Sequence, residues 1–354
     1  MKQGKTLSEL AREVQRQSAV KDDRLIPCAA MHFDVEEKVP VLHMDTSQAR
    51  TMRLTDTAHR QVGGYQEIPN RYYEKMRLAA PELLTRNLNY WMERNAGDER
   101  TIRMLDGKVR AFLSPTYKRI DNDDILAAVA ETLGELGELS AASYEVTESR
   151  MYIKVVSKRL TQEVSPGDIV QSGVCITNSE VGLGGFNAYP LVYRLVCSNG
   201  MVAADAATRI RAIHRGRRLN AAEDYSIYRT ETIFTENQSI LMKAVDMVKA
   251  ALDEERFSYV VDTMREARQA KMELHRIPEI VDKTAQEYQI NEQEKKSVLE
   301  HLIRDGDFTL YGLSNAVTRS AQDAEDYDRA TELESMGWRI LKTPSRKWNA
   351  LQAA

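Results

Sequence analysis

Residues 142–198 contain three segments in which apolar and polar residues alternate, and this block constrains the fold more than any other part of the sequence. The segments cover residues 142–160, 168–178 and 188–198. Alternation with a period of two is typical of β-strands that have one buried face. A glycine-rich link at residues 181–186 separates the second segment from the third. We therefore expect neighbouring antiparallel strands that form one sheet.

Helical patterns and one further hairpin surround this block. Asp106-Gly107 lies between alternating apolar residues, which is typical of a tight hairpin turn. A helix is predicted to begin near Val202 and to carry Arg209 and Arg211. Other helices are predicted at residues 6–16, 54–73 (broken at Gly63-Gly64), 81–95, 122–136 and through most of 225–330.

This order predicts an α+β fold, in which an antiparallel β-sheet packs on helices and a helical C-terminal region follows. We divide the 354 residues into an N-terminal extension at 1–53, an α+β core with a basic sheet face at 54–230, and a helical region at 231–354.

Composition favours a folded cytoplasmic protein. No apolar run approaches the roughly 18 residues that span a bilayer, and the polar N-terminal segment lacks the apolar stretch of a signal peptide. Three cysteines cannot form an even disulfide framework, so we expect a reducing compartment.

Positive charge is concentrated in one part of the chain. Residues 150–218 contain ten Lys or Arg and four acids, a net charge of +6, whereas the whole chain carries -4. Residues 231–354 contain 17 basic and 23 acidic side chains. A basic module inside an acidic protein indicates a polyanionic partner that is confined to one face or groove.

No motif for catalysis or for a cofactor is found. The glycines at 182, 184 and 185 lack the Gly-Lys-Ser/Thr that completes a phosphate-binding loop, so a turn is the better interpretation. The six histidines are not placed with other ligands at zinc spacing. Asp121, Asp123 and Asp124 precede an apolar helix, which favours helix capping over metal binding. We expect a protein that is not an enzyme and has neither metal nor cofactor.

The candidate contacts are cations and tyrosines on the predicted sheet and helix. On the strand at 151–158, Tyr152, Lys154 and Lys158 share one face, and the opposite face is apolar. A face of cations and rings can follow a phosphate backbone and stack bases. The predicted phosphate contacts are Lys154, Lys158, Arg159, Arg194, Arg209, Arg211, Arg215, Arg217 and Arg218, and the predicted stacking residues are Tyr152 and Tyr193.

Two other interpretations stay open. The long C-terminal helices suit a protein-interaction module, such as an inhibitor of host defence or a structural scaffold, with no nucleic-acid role. An unrecognised enzyme would centre on Ser114, Tyr117 and Asn199.

Five segments in order resemble a family of phage and plasmid proteins classed as domain of unknown function 932. They are Ile68 to Met76, Val109 to Asn122, Asn178 to Gly182, Tyr193 to Gly200 and Thr309 to Thr318. The order of strands and helices is also loosely similar to phage single-strand annealing proteins. These resemblances imply single-stranded DNA binding and strand annealing during recombination.

Assembly into homo-oligomers larger than a dimer, as a ring or filament, is also expected. The helix around residues 240–248 has apolar residues at six positions, too many for one narrow stripe, which indicates two buried surfaces.

Overall fold

The computed structural model describes residues 1–45, 49–117, 119–204, 210–212 and 230–353. Within these residues the protein has the expected α+β fold, with two six-stranded sheets followed by a helical C-terminal region.

The first sheet is built from the N-terminal half of the chain. Its strand order is β1-β5-β6-β4-β3-β2; all pairs are antiparallel except β4 with β6, which are parallel. One face packs against three helices through an apolar cluster that includes Phe33, Leu42 and Phe112. The elements are β1 (Asp22–Pro27), β2 (Met31–Glu36), β3 (Val39–Met44), β4 (Arg50–Leu54), β5 (Glu99–Leu105), β6 (Lys108–Leu113), α2 (Asp56–Tyr65), α3 (Asn70–Ala79) and α4 (Pro81–Arg94).

The second sheet is antiparallel and contains the strands of the 142–198 block. Five of its strands follow the order β11-β10-β9-β8-β7, and a short sixth strand, β12, also pairs with β10. Its strands are β7 (Leu139–Val146), β8 (Met151–Ser165), β9 (Asp168–Asn178), β10 (Phe186–Arg194), β11 (Asn199–Val202) and β12 (Ile210–Ala212).

Helices cover both faces of the second sheet. Met151, Ile153 and Val155 pack on α1 (Leu7–Val20), α5 (Asn122–Glu135) and α6 (Thr230–Ala251). On the opposite face, Tyr152 and Lys154 contact Asp328 and Glu334 of the C-terminal helices. Those helices are α7 (Glu254–Ala267), α8 (Ile277–Tyr288), α9 (Glu292–Asp305), α10 (Leu310–Ser320), α11 (Tyr327–Leu341) and α12 (Ser345–Ala353). The sheet is therefore the middle layer of three.

The predicted hairpin is confirmed, and two helix ends follow equally local rules. The hairpin turns at Asp106-Gly107, whose φ angles of 51° and 73° both lie in the left-handed region. Thr55 accepts a hydrogen bond from the Ala58 amide and begins α2. Gly306, with φ 66°, ends α9.

Other boundaries differ from the expectation. The strand predicted at 142–160 is two strands, β7 and β8, which pair with each other. The helix predicted from Val202 is wrong, because residues 199–202 and 210–212 are strands. The proposed boundary after residue 53 falls inside the first sheet, to which residues 22–54 contribute four strands. No helix in the described ranges is long and apolar enough to cross a membrane.

Candidate nucleic-acid interface

Two of the predicted contact residues on β8 are buried. Lys154 is 0% exposed, and its Nζ donates to Glu334 Oε2 and Thr331 Oγ1, each at 2.7 Å. Tyr152 is 2% exposed, and its hydroxyl donates to Asp328 Oδ1 at 2.6 Å. All three partners lie on α11, which covers this face. The prediction that Lys154 and Tyr152 stand on an exposed face is therefore wrong.

Arg194 and Tyr193 at the end of β10 are also covered in part. Arg194 Nε donates to Asp168 Oδ1 at 2.6 Å, and Tyr311 donates to the other oxygen of that carboxylate at 2.9 Å. Tyr193 is half-buried beside an apolar cluster that includes Leu191. Arg194 thus forms a structural ion pair, and the expectation of an open cationic and aromatic surface on this strand is wrong.

Lys158 and Arg159 remain exposed, as predicted. They lie where the pairing of β8 with β9 shifts register, between Val156 and Thr161. Lys158 forms an ion pair with Glu138 at 3.1 Å, and both side chains are exposed. An exposed pair of this kind contributes little and separates readily. Phosphate contact by these two cations stays a prediction.

The structure describes only residues 210–212 of the basic run at residues 209–218. These residues form β12, which pairs antiparallel with β10 so that Arg211 is opposite Asn187. Arg211 was predicted on a helix and lies on a strand instead. Four other predicted contacts, Arg209, Arg215, Arg217 and Arg218, lie outside the described residues.

A polar cleft of about 630 Å³ adjoins this edge. The glycine-rich link and Asn187 line one side of it, and α8 and α11 line the other. Three guanidinium groups also line it. Arg150 donates to the Leu183 carbonyl at 2.5 Å, Arg329 binds Glu294 at 2.7 Å, and Arg339 stands 5.4 Å from the centre of the Tyr288 ring. Sequence reasoning treated the link only as a turn and missed the cleft, because Arg329 and Arg339 are far away in the sequence.

A buried ionic network joins the two sheets. Arg103 on β5 is buried, and its Nη2 lies 2.8 Å from Asp23 and 2.7 Å from Asp121. Arg110 on β6 lies 2.7 Å from Glu180, which follows β9. Two of the segments that carry the family resemblance, 109–122 and 178–182, meet at this network.

Three carboxylates at this network are spaced closely enough to hold a metal ion. Oxygens of Asp121, Asp123 and Glu180 lie within 4.8 Å of one another. The Nζ atom of Lys21 lies 2.9 Å, 3.3 Å and 3.8 Å from these three carboxylates. Its ammonium group therefore stands where a metal ion would bind. Burial raises the pKa of Asp121, but the charges and hydrogen bonds of Arg103 and Lys21 outweigh it and lower that pKa to about 2. The cluster is already neutralised, so it fits a structural role better than metal binding.

The capping role predicted for the aspartates before α5 is only partly correct. Asp121 occupies the cap position, but its side chain makes no capping hydrogen bond. Glu180 accepts the amide of Asn122 at 2.8 Å and satisfies the helix end in its place.

The three residues of the enzyme alternative each have a structural contact. Tyr117 donates to the Ser179 carbonyl at 3.2 Å, and burial raises its pKa to about 12. Asn199 donates to Thr318 Oγ1 at 2.5 Å, and Ser114 lies 3.3 Å from Thr116 Oγ1.

A family model described as "Domain of unknown function (DUF932)" matches residues 111–339. This region contains the whole second sheet, the helices from α7 to α10 and most of α11. No curated protein and no solved structure matches the chain.

Proposed function

The chain belongs to the domain of unknown function 932 family, and we propose that it binds single-stranded DNA along the β12 edge of its second sheet. The observation that carries the proposal is the pairing of β12 with β10. This pairing sets β12 opposite residues 186–188, and Asn187 lines the cleft; in the sequence, β12 belongs to a basic run. The run, residues 209–218, contains five arginines and one histidine and no acid.

The cleft lining contains three arginines and three acids (Glu287, Asp328 and Glu332), so the arginines rather than the net charge would bind a polyanion at this edge. Arg150, Arg329 and Arg339 line the cleft next to β12, and Tyr288 contributes an aromatic ring. Guanidinium groups bind phosphate oxygens in a bidentate manner, and aromatic rings stack on bases without regard to sequence. Because helices cover both faces of the sheet, the DNA would follow its edge and rim. Lys158 and Arg159 would add contacts where β8 is exposed.

Strand annealing in phage or plasmid recombination is the specific role we propose, in the cytoplasm and without catalysis. Annealing needs no nucleophile, metal or nucleotide, because the protein only holds backbones extended while bases pair. A single sheet edge holds few nucleotides, so several subunits would share one strand in a ring or filament.

The test is binding of a labelled oligothymidylate over a salt series. We expect the logarithm of affinity to fall with the logarithm of salt concentration, with a slope of about -0.7 per neutralised phosphate. Replacing Arg215, Arg217 and Arg218 by Glu should abolish binding at moderate salt.

The matched control reverses three charges elsewhere. The control residues are the exposed Arg12 on α1 and the exposed Lys296 and Arg304 on α9. Their replacement by Glu should leave the affinity within about threefold of the wild-type value, because exposed charges act over roughly a Debye length of 8–10 Å. A flat salt response, or equal losses in both triple variants, would refute binding at the β12 edge. Light scattering that shows 40.3 kDa with and without oligonucleotide would refute the assembly.

A further inference from the structure

Helices α3 and α4 expose an unusual number of large apolar and aromatic side chains. Tyr72 is 50% exposed, Tyr90 53% and Trp91 41%. Leu78 and Leu83 on the same two helices are also more than half exposed. We call these five exposed residues of the two helices the α3–α4 face. It lies over the first sheet, whereas the β12 edge belongs to the second sheet.

The arrangement of α4 explains why these rings face outwards. Leu84, Leu88 and Met92 recur at helical spacing and pack into the core under the first sheet. Leu83 and Tyr90 are seven residues apart and so share one side of the helix, away from that core. The rings also support each other, since Tyr90 and Trp91 are 5.2 Å apart in an edge-on arrangement.

Cations accompany the exposed rings. The Arg94 guanidinium lies 5.4 Å from the centre of the Tyr90 ring and donates to its hydroxyl at 3.0 Å. Arg71, Lys75 and Arg86 are exposed, and within the described part of the chain they enter no ion pair of the kind that joins Arg77 to Glu74 at 2.6 Å.

The charge balance of the two helices is positive. Residues 70–94 contain five cations and three acids. A symmetric contact between two copies would bring like charges together. Exposed rings interleaved with cations instead match a single strand of nucleic acid, which offers base faces and phosphates together.

We propose that the α3–α4 face is a base-stacking platform for single-stranded nucleic acid. Tyr90 and Trp91 stack on bases, Tyr72 extends the platform, and Arg71, Lys75 and Arg86 bind the flanking phosphates. The inference rests on the proposed function in that it needs a nucleic-acid ligand. It assigns a second contact surface, separate from the β12 edge.

Trp91 reports on this surface directly. The two other tryptophans, Trp338 and Trp348, are 0% and 3% exposed. Titration with oligothymidylate should therefore quench the fluorescence of Trp91 alone, and the Trp91→Phe variant should lose the quenching while it keeps most of the affinity. Truncation of Tyr90 or Trp91 to Ala should weaken binding about tenfold for each ring.

Tyr259 provides the matched control, because it is a comparably exposed ring that lies on α7 and not on α3 or α4. Tyr259→Ala should leave oligonucleotide affinity unchanged. Circular dichroism of each variant checks that exposed truncations leave the fold intact.

The outcomes separate the two proposals. If the wild-type protein binds but the Tyr90 and Trp91 variants bind equally well, the platform is refuted and DNA binding at the β12 edge stands. If these variants instead change only the oligomeric state, the face is a protein interface and the platform is again refuted. If the wild-type protein binds no oligonucleotide at low salt, both proposals fail.

Discussion

Removing the amine of Lys154 should destabilise the protein strongly, although a role in phosphate binding would predict no loss of stability. Lys154→Ala leaves Glu334 without its partner in a site where both side chains are fully buried. The Oε1 atom of Glu334 already has no hydrogen-bond partner within the described residues. Breaking a buried pair from one side costs about 3–5 kcal/mol, because an uncompensated charge remains.

The pair can also be removed from both sides. In Lys154→Met/Glu334→Leu neither charge remains, so we expect stability to return to within about 1–2 kcal/mol of the wild type. Lys158→Ala is the matched control on the same strand. Its ion pair with Glu138 is exposed, so its loss should cost less than about 1 kcal/mol.

Urea denaturation followed by circular dichroism measures these differences as shifts in the unfolding midpoint. The double variant should also bind oligonucleotide as the wild type does. A loss below about 1 kcal/mol in Lys154→Ala, or a loss of DNA affinity in the folded double variant, would contradict the structural role of Lys154.

Three further outcomes are expected. Burial lowers the pKa of His59 from 6.5 to about 4, so the unfolded chain binds the proton more readily than the folded protein does. About 3 kcal/mol of stability is therefore present above pH 6.5 and is lost as the pH falls towards 4. His59→Asn should flatten this pH dependence of stability in denaturation curves. Gly173→Ala places a Cβ 2.3 Å from the Val155 carbonyl oxygen and should cost about 1–3 kcal/mol; an unchanged melting temperature would count against the strand spacing. Arg103→Met leaves Asp23, whose side chain is 7% exposed, and the half-buried Asp121 with one cation fewer and should cost about 3–5 kcal/mol, measured in the same way; a neutral result would show that the network joining the two sheets contributes nothing to stability.

Features that depend on neighbouring residues were predictable from the sequence. The hairpin at Asp106-Gly107 requires two left-handed residues, which this pair adopts at little cost. The cap at Thr55 and the end of α9 at Gly306 follow equally local rules. The alternation on β8 correctly placed Tyr152 and Lys154 on one face.

What packs on a face was not predictable in the same way. Alternation shows which residues share a side of a strand, but the partner of Lys154 is 180 residues further along the chain. The charge of this lysine therefore favoured an exposed face, although the lysine forms a buried ion pair. The exposure of the α4 rings has a signal in the sequence, because Tyr90 and Trp91 lie off the helical stripe that contains the buried Leu84 and Leu88.

The order of strands in the first sheet has a consequence for synthesis on the ribosome. Asp22 on β1 pairs with Met104 on β5, so β1 emerges roughly 80 residues before its partner. At about 5–20 residues per second, β1 waits for roughly 4–16 s with its backbone groups unpaired. Helix α1 waits longer, since its contacts lie on α5 and β7. Nascent chains are therefore most exposed to edge-to-edge aggregation before residue 113 is made, and slower translation over β5 and β6 should lower the yield of folded protein.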